Sequence, residues 1–321
     1  MVTAAALDRA RGVLLGTAAG DALGAGYEFG AAFGDDVPVL MKGGGSFGWA
    51  PGEWTDDTSM AVPILEAAEA ARDAGGALMD HLDHVALRWY DWSRSAKDVG
   101  IQTSTVLSAT GSAGAVTAPS LLRESRAFFA HHGQAAGNGS LMRTAPVALA
   151  CLHDEEELVQ AARRISDLTH AEPDAGDACV LWCLAIRHAV LQGDVELRAG
   201  LDHLPGVGRD RWSARIDEAE ALTPRDFPRN GWVVHAFQEA WSAIVRTPAP
   251  AGSRGGNLVP ALESIVRAGG DTDTVAAIAG GLLGARWGAS AVPSDWATAL
   301  HGWPGISGDE LADRGASLAL A

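Results

Sequence analysis

The sequence predicts an all-α protein built as one compact multi-helix domain over residues 1–321. Three observations predict it. Ala, Leu and Arg dominate long stretches; runs rich in Val, Ile, Thr and Tyr with period two are scarce; and Gly or Pro punctuates the chain at intervals that suit helices. Hydrophobic residues make up 47% and charged residues 20%, enough for a substantial core, and no long low-complexity run argues for disorder. No fixed-period repeat and no long polar linker divides the chain, so one domain is preferred although the length exceeds that of a typical single one.

Taken in order, the helical segments are expected over Leu7 to Gly24, Asp57 to Ala74, Ala77 to Ser93, Leu121 to His131, Leu141 to Leu152 and Glu155 to Leu168. They continue over Ala175 to Leu191, Arg211 to Ala221, Trp232 to Val245, Leu258 to Ala268, Thr274 to Trp287 and a last turn or two near Asp309 to Leu318. The first carries a face of small residues around Gly16, Gly20 and Gly24. In the run Ala178 to Leu184, Cys179 and Cys183 are four apart and share a helical face, which suits core packing. The run after Thr274 is unusually small: Ala276, Ala277, Ala279, Gly280, Gly281 and Gly284 let a helix approach its neighbours closely. Loops are expected at Gly43-Gly44-Gly45, Pro51-Gly52, Pro205-Gly206, Pro248 to Gly256 and Pro304-Gly305.

Charge and cysteine usage narrow the function classes. Twenty-four Lys and Arg against 40 Asp and Glu give a net charge of -16 with no basic stripe, which argues against general nucleic-acid binding. An anionic substrate would need local cations or helix N-termini. Three cysteines, Cys151, Cys179 and Cys183, do not form a secreted disulfide framework, so a reducing cytoplasm is expected. Asp8, Arg9 and Arg11 interrupt the amino-terminal apolar stretch, and no later run reaches the ~20 apolar residues a membrane span requires. A soluble monomer with no membrane partner is the expectation.

Two acidic words carry the chemistry. Thr55-Asp56-Asp57-Thr58 and Asp271-Thr272-Asp273-Thr274 each precede an apolar, helix-like run. An Asp or Thr there is an ordinary helix N-cap, but one carboxylate suffices for a cap and each word has two. Carboxylate and hydroxyl oxygens suit Mg²⁺ or Mn²⁺, whereas zinc would recruit His and Cys, which neither word contains. Adjacent carboxylates entering a helix project about 100° apart and can face two metals. In the second word, alternate Asp residues converge if the backbone is locally extended.

Other segments are weaker alone. Gly137-Asn138-Gly139-Ser140, followed by Met142-Arg143, opens a helix and offers N–H groups to an anion, although Gly-Asn-Gly is also a common turn and Arg143 a ready partner for a carboxylate. Asp21 reads as a buried residue between helices. Glu28, in a glycine-flanked loop, is placed to approach a metal or substrate, and His170 is a lone imidazole at a helix end.

In this order, Gly20-Asp21-Ala22-Leu23-Gly24 with Glu28, the first acidic word, Gly137-Asn138-Gly139 with Met142-Arg143, Thr169-His170, and Gly269-Gly270 with the second word resemble the ADP-ribosylglycohydrolase family over nearly the whole chain. The pattern is similar to its dinitrogenase reductase-activating members and to its ADP-ribosyl-acceptor hydrolases. The resemblance implies an all-α fold with two Mg²⁺ or Mn²⁺ at the base of an ADP-ribose cleft. It implies Thr55, Asp56, Asp57, Asp271, Asp273 and Thr274 as metal ligands, Glu28 as the acid of a mobile loop, and Asp98, in Lys97-Asp98-Val99-Gly100, as a second catalytic carboxylate. Gly137, Asn138, Gly139 and Ser140 would hold the diphosphate or distal ribose, and His170 would approach the ribose. Departures from the family pattern fall after His170, where Ala171-Glu172-Pro173 stands in place of a second His, and at Ile101-Gln102-Thr103, which lacks an Asn. Both bear on the acceptor.

The implied activity is metal-assisted hydrolysis at the anomeric carbon of an ADP-ribosyl group, carried by a modified protein or a small conjugate, with ADP-ribosyl-arginine first among the acceptors. Alternatives are a serine, phosphate or nucleic-acid linkage, a binding protein without turnover, and a metal-dependent phosphohydrolase.

Overall fold

In the computed structural model, which describes residues 3–253 and 255–320, a helix pair sets the frame for everything else. The helices are α1 (Ala4–Gly24), α2 (Asp56–Ala74), α3 (Leu82–Ser93), α4 (Ile101–Ala113), α5 (Ala118–His132), α6 (Ala145–Ala150) and α7 (Glu155–Asp167). They continue as α8 (Pro173–Gln192), α9 (Gly206–Ala221), α10 (Val233–Arg246), α11 (Leu258–Ala268), α12 (Thr272–Trp287), α13 (Ser294–Ala299) and α14 (Gly308–Leu318). The all-α expectation holds. Among the described residues only His301–Gly302 and Ile306–Ser307 form strands, pairing antiparallel with His301 opposite Ser307.

α1 and α12 run antiparallel in closer contact than ordinary side chains permit. Glycines at every fourth position of α1 put its small face against α12: a Cβ on Gly12, Gly16 or Gly20 would stand 2.2, 2.2 or 2.0 Å from the carbonyl oxygens of Gly284, Gly280 and Ala276. A Cβ on Gly24 would meet the Cα of Asp273 at 2.5 Å. The C-terminal end of α1 therefore lies against the first turn of α12, where the second acidic word sits. The core spreads out from this pair, with Trp54, Trp89, Trp212 and Phe237 fully buried, and one hydrophobic cluster runs from Ala10 to Ala319.

Several segments depart from expectation for identifiable reasons. The helix expected over Leu141 to Leu152 is shorter: Asn138–Ser140 forms a 3₁₀ turn, and α6 starts only at Ala145. Pro146 lacks the N–H, and its ring clashes with the carbonyl four residues back, so no helix runs through from Leu141. Ala77 to Ser93 is divided into a 3₁₀ turn, Leu78–His81, and α3. α4 was not expected, because Ile101-Gln102-Thr103-Ser104-Thr105-Val106 is rich in poor helix formers. Its buried positions, Thr103, Val106, Leu107 and Thr110, keep helical spacing, and Thr105 and Thr110 donate to the carbonyls of Ile101 and Val106. The loop expected from Pro248 to Gly256 is non-helical where described; Arg254 lies outside the described residues. Cys179 and Cys183 are buried, unpaired core residues, as their spacing suggests.

Candidate active site

The first acidic word lies where α2 begins. Thr55 occupies the N-cap position but makes no capping bond; Asp21, reaching over from α1, does that work instead. Its carboxylate accepts the N–H of Thr55 at 2.8 Å, the N–H of Thr58 at 3.0 Å and the Thr58 hydroxyl at 2.6 Å. Asp56 and Asp57 are thereby released from capping. Asp57 accepts the Thr55 hydroxyl through one oxygen at 2.7 Å, while its other oxygen is buried with no partner among the described residues.

The second word differs from the extended segment expected. Asp271 is the N-cap of α12 and makes no capping bond, while Thr272 and Asp273 already belong to the first helical turn. The sharp entry depends on Gly269 and Gly270, with φ of +81° and +75°, a region side chains rarely adopt. Asn230 anchors it. Its side-chain oxygen accepts the Asp271 N–H at 3.0 Å, and its amide donates to the Gly269 carbonyl at 3.0 Å and to buried Glu239 at 2.9 Å. Asn138 donates to Asp271 at 2.7 Å and to the Asn230 carbonyl at 2.9 Å. Both acidic words thus sit at helix N-termini, whose positive dipole ends favour carboxylates.

Glu28 arrives on a loop clipped to the same place: the Phe29 N–H donates to the Gly270 carbonyl and the Gly270 N–H to the Gly30 carbonyl. Carboxylate oxygens of Glu28, Asp271 and Asp273 lie within 4.8 Å of one another. One buried Glu28 oxygen has no partner among the described residues. Phe29, exposed and at φ +60°, holds a conformation unusual for a non-glycine residue at the rim.

These groups border a cavity of about 490 Å³ lined by Glu28, Asp56, Asp98, Asp271 and Thr274 on one side and by Gly137, Asn138, Gly139 and His170 on the other. The first turn of α4, Ile101 to Thr103, completes the wall. Ser140 is different. It is fully buried, with its hydroxyl 3.6 Å from the Cys179 thiol, and does not line the cavity. Arg143 also departs from both sequence readings: it is wholly buried behind the wall, 4.0 Å above Trp89, and bonded to Thr169 rather than to a carboxylate or an anion.

Electrostatically the cluster is a concentration of acids without cations. Burial, then the charges of Asp271, Asp98 and Asp21, pushes Glu28 up to about 8. Asp21 rises to about 6 through burial, opposed by its bonds to Thr58 and Thr55. Burial first, and neighbouring carboxylates second, hold Asp56, Asp57 and Asp273 well above the ordinary range. Asp98 and Asp271 are raised by burial too. No Lys or Arg is among the residues lining the cavity. Carboxylates this close cannot all ionise without a compensating cation, and oxygen-only donors with unpartnered atoms fit a hard divalent ion.

A family model described as ADP-ribosylglycohydrolase matches residues 2–321. The chain belongs to the ADP-ribosylglycohydrolase family. It is therefore placed among glycosidic-bond hydrolases. It is 31% identical over 300 residues to the ADP-ribosylarginine hydrolase of Pseudomonas putida (strain GB-1), covering 91% of this chain and 74% of the relative. Identity to the ADP-ribosyl-[dinitrogen reductase] glycohydrolase of Rhodospirillum rubrum is 30% over 309 residues, 91% and 90% of the two chains. Among solved structures, an ADP-ribosylglycohydrolase-related protein complex superposes with a TM-score of 0.71 at 27% identity, over 99% of each chain.

The candidate site also depends on residues that the sequence alone does not single out. Asn230 and Glu239 organise Asp271 from α10 and its approach, yet an Asn before Gly-Trp and a Glu inside an apolar helix carry no motif. The one available signal was Glu239 itself, a charge on the buried face of α10.

Proposed function

We propose that this chain is a metal-dependent hydrolase that removes ADP-ribose from a modified acceptor, ADP-ribosyl-arginine on protein first among them, by cleavage at the anomeric carbon of the distal ribose. The observation that carries this reading is the convergence of Glu28, Asp271 and Asp273 beside unpartnered carboxylate oxygens of Glu28 and Asp57, with Glu28 and Asp271 on the wall of a cavity that fits a ligand of this size class. The arginine acceptor rests on likeness to the ADP-ribosylarginine hydrolase.

Thr55, Asp56, Asp57, Asp271, Asp273 and Thr274 would hold two Mg²⁺ or Mn²⁺. When bound, such ions supply Lewis-acid binding of vicinal ribose hydroxyls and charge compensation for the acids. Glu28 and Asp98, both on the cavity wall, are the carboxylates for proton transfer: one, ionised, takes a proton from the attacking water, and the other, protonated, gives its own proton to the departing acceptor nitrogen. Gly137, Asn138 and Gly139 form the floor opposite, with His170 at its edge. The N–H groups of Ile101, Gln102 and Thr103 precede the first helical bond of α4, made by Ser104, and offer the diphosphate a positive helix end in a site whose lining, among the described residues, has no Lys or Arg.

Purified protein with ADP-ribosyl-arginine and Mg²⁺ or Mn²⁺ is expected to release ADP-ribose. No turnover, beside a working control enzyme, removes the arginine assignment; serine-, phosphate- and nucleic-acid-linked substrates run in parallel then identify the acceptor. For the ligand set, Asp56→Asn and Asp273→Asn are each expected to weaken metal binding in calorimetry. Unchanged affinity in both would overturn it.

A further inference from the structure

His170 enters the cavity wall from the turn that follows α7, 2% exposed. Its Nδ1 stands 2.7 Å from the Thr169 hydroxyl, a distance that leaves the direction of the proton open. Arg143 closes that question. Its Nη2 donates to the same hydroxyl at 2.6 Å, and a guanidinium only donates, so the Thr169 oxygen is already an acceptor. Thr169 has no exposed surface, and among the described residues its own proton has one acceptor within reach, His170 Nδ1. With the bond reversed, the hydroxyl proton would be left buried and unpaired, which folded proteins avoid.

The geometry points to Arg143 and Thr169 as positioning residues that hold His170 neutral, with its proton on Nε2, as a hydrogen-bond donor presented to a substrate oxygen between Gly137 and Gly139. The two glycines make room for that edge of the ring: a Cβ on Gly137 would stand 3.2 Å from Nε2, and one on Gly139 3.2 Å from Cε1. Nε2 has no partner among the described residues, so its hydrogen is available to a ligand. The protonated ring is disfavoured by burial and by the Arg143 cation behind it. Burial lowers Arg143 itself only to about 9, so it remains cationic at neutral pH, stacked on Trp89. A neutral donor suits a ribose hydroxyl or a phosphate oxygen. Only this last assignment rests on the ADP-ribose reading; the tautomer is a property of the protein alone.

The test is long-range proton–nitrogen correlation NMR on the metal-free full chain labelled with ¹⁵N-histidine, with the His170 signals assigned by their loss in His170→Asn. Expected is a neutral ring with unprotonated Nδ1 and protonated Nε2 around neutral pH. Thr169→Val should abolish the fixed tautomer and weaken ADP-ribose binding in metal-loaded protein by about tenfold, and Thr169→Ser should restore both. A wild-type ring protonated on Nδ1, or on both nitrogens, overturns the proposal, as does a Thr169→Val spectrum unchanged at His170. If Thr169→Val does not fold, the wild-type spectrum alone decides. Wild-type protein that shows the expected nitrogens but binds no ADP-ribose leaves the Arg143–Thr169–His170 hydrogen bonding standing and defeats the functional reading instead.

Discussion

Replacing Gly16 with Ala tests whether the close pairing of α1 and α12 builds the site. The added Cβ would lie 2.2 Å from the Gly280 carbonyl oxygen and 3.2 Å from the Gly284 Cα, against a floor of 3.0 Å that real Cβ atoms essentially never cross. The obstacle is backbone of a second buried helix, so no side chain can swing away. The helices must part by the better part of an ångström, and gaps of that size forfeit a quarter to a half of each contact's dispersion energy along the seam. Ala gains about 1 kcal/mol over Gly in helix propensity, while overpacking costs about 1–3 kcal/mol and more where backbone must move. A net loss of about 2 kcal/mol is expected in urea unfolding. The shift also moves the end of α1 from Asp273, which Gly24 touches, so metal affinity measured by calorimetry should fall in the same variant. Gly206→Ala is the control: it has open space around it at the start of α9 and should change stability by no more than about 0.5 kcal/mol. A Gly16→Ala protein as stable as wild type, with unchanged metal affinity, would refute the role given to the pairing.

Asp21→Ala removes the acceptor of three bonds from Thr55 and Thr58, leaving two backbone N–H groups and a hydroxyl unpaired; relief of a buried acid offsets part of this, and a loss of about 3 kcal/mol with weakened metal binding is expected in denaturant titration. Raised carboxyl groups make the metal-free protein bind protons more tightly folded than unfolded: the Glu28 contribution is full below 4.5 and is lost as pH rises to about 8, that of Asp21 between 3.8 and about 6. Thermal scans of chelated protein should therefore show Tm falling across this window, and saturating Mg²⁺ or Mn²⁺ should flatten the fall; a Tm that climbs with pH in chelator contradicts the acid cluster. Asn230→Leu leaves the Asp271 N–H, the Gly269 carbonyl and Glu239 without their partner, and calorimetry should show metal affinity reduced at least tenfold, whereas intact affinity would mean that the α12 entry holds its shape unaided.

The acidic words were legible because each contains more carboxylate than a cap can use, and the structure gives the reason physically: Asp21 caps α2 from another helix, leaving Asp56 and Asp57 free. The small faces around Gly16 and Gly280 were equally visible, since a four-residue glycine spacing has few other uses inside a helix. α4 was not, because propensity weighs Thr and Ser against helix while the tertiary contacts of Thr103, Val106 and Thr110 decide the matter. Asn230, and the bond that ties Arg143 to Thr169, were not legible for a different reason. Their partners lie many positions away, and a hydrogen bond between Asn230 and Asp271 leaves no periodicity to read.

That division explains how an acidic protein can present a cavity to an anion at all. The cavity lining contains Glu28, Asp56, Asp98 and Asp271 and no Lys or Arg, and the nearest buried cation, Arg143, is turned away onto Trp89 and Thr169. Under the proposed function, positive potential would come from backbone and from bound ions: the N-terminal ends of α2 and α12 beneath the carboxylates, the end of α4 across the cavity, and divalent metal between. Binding of a diphosphate-containing ligand should accordingly be weak in chelator and recover with Mg²⁺ or Mn²⁺, whereas monovalent salt at matched ionic strength should not restore it. Calorimetry with ADP-ribose separates the two, and full affinity in chelator would show that the helix ends alone suffice.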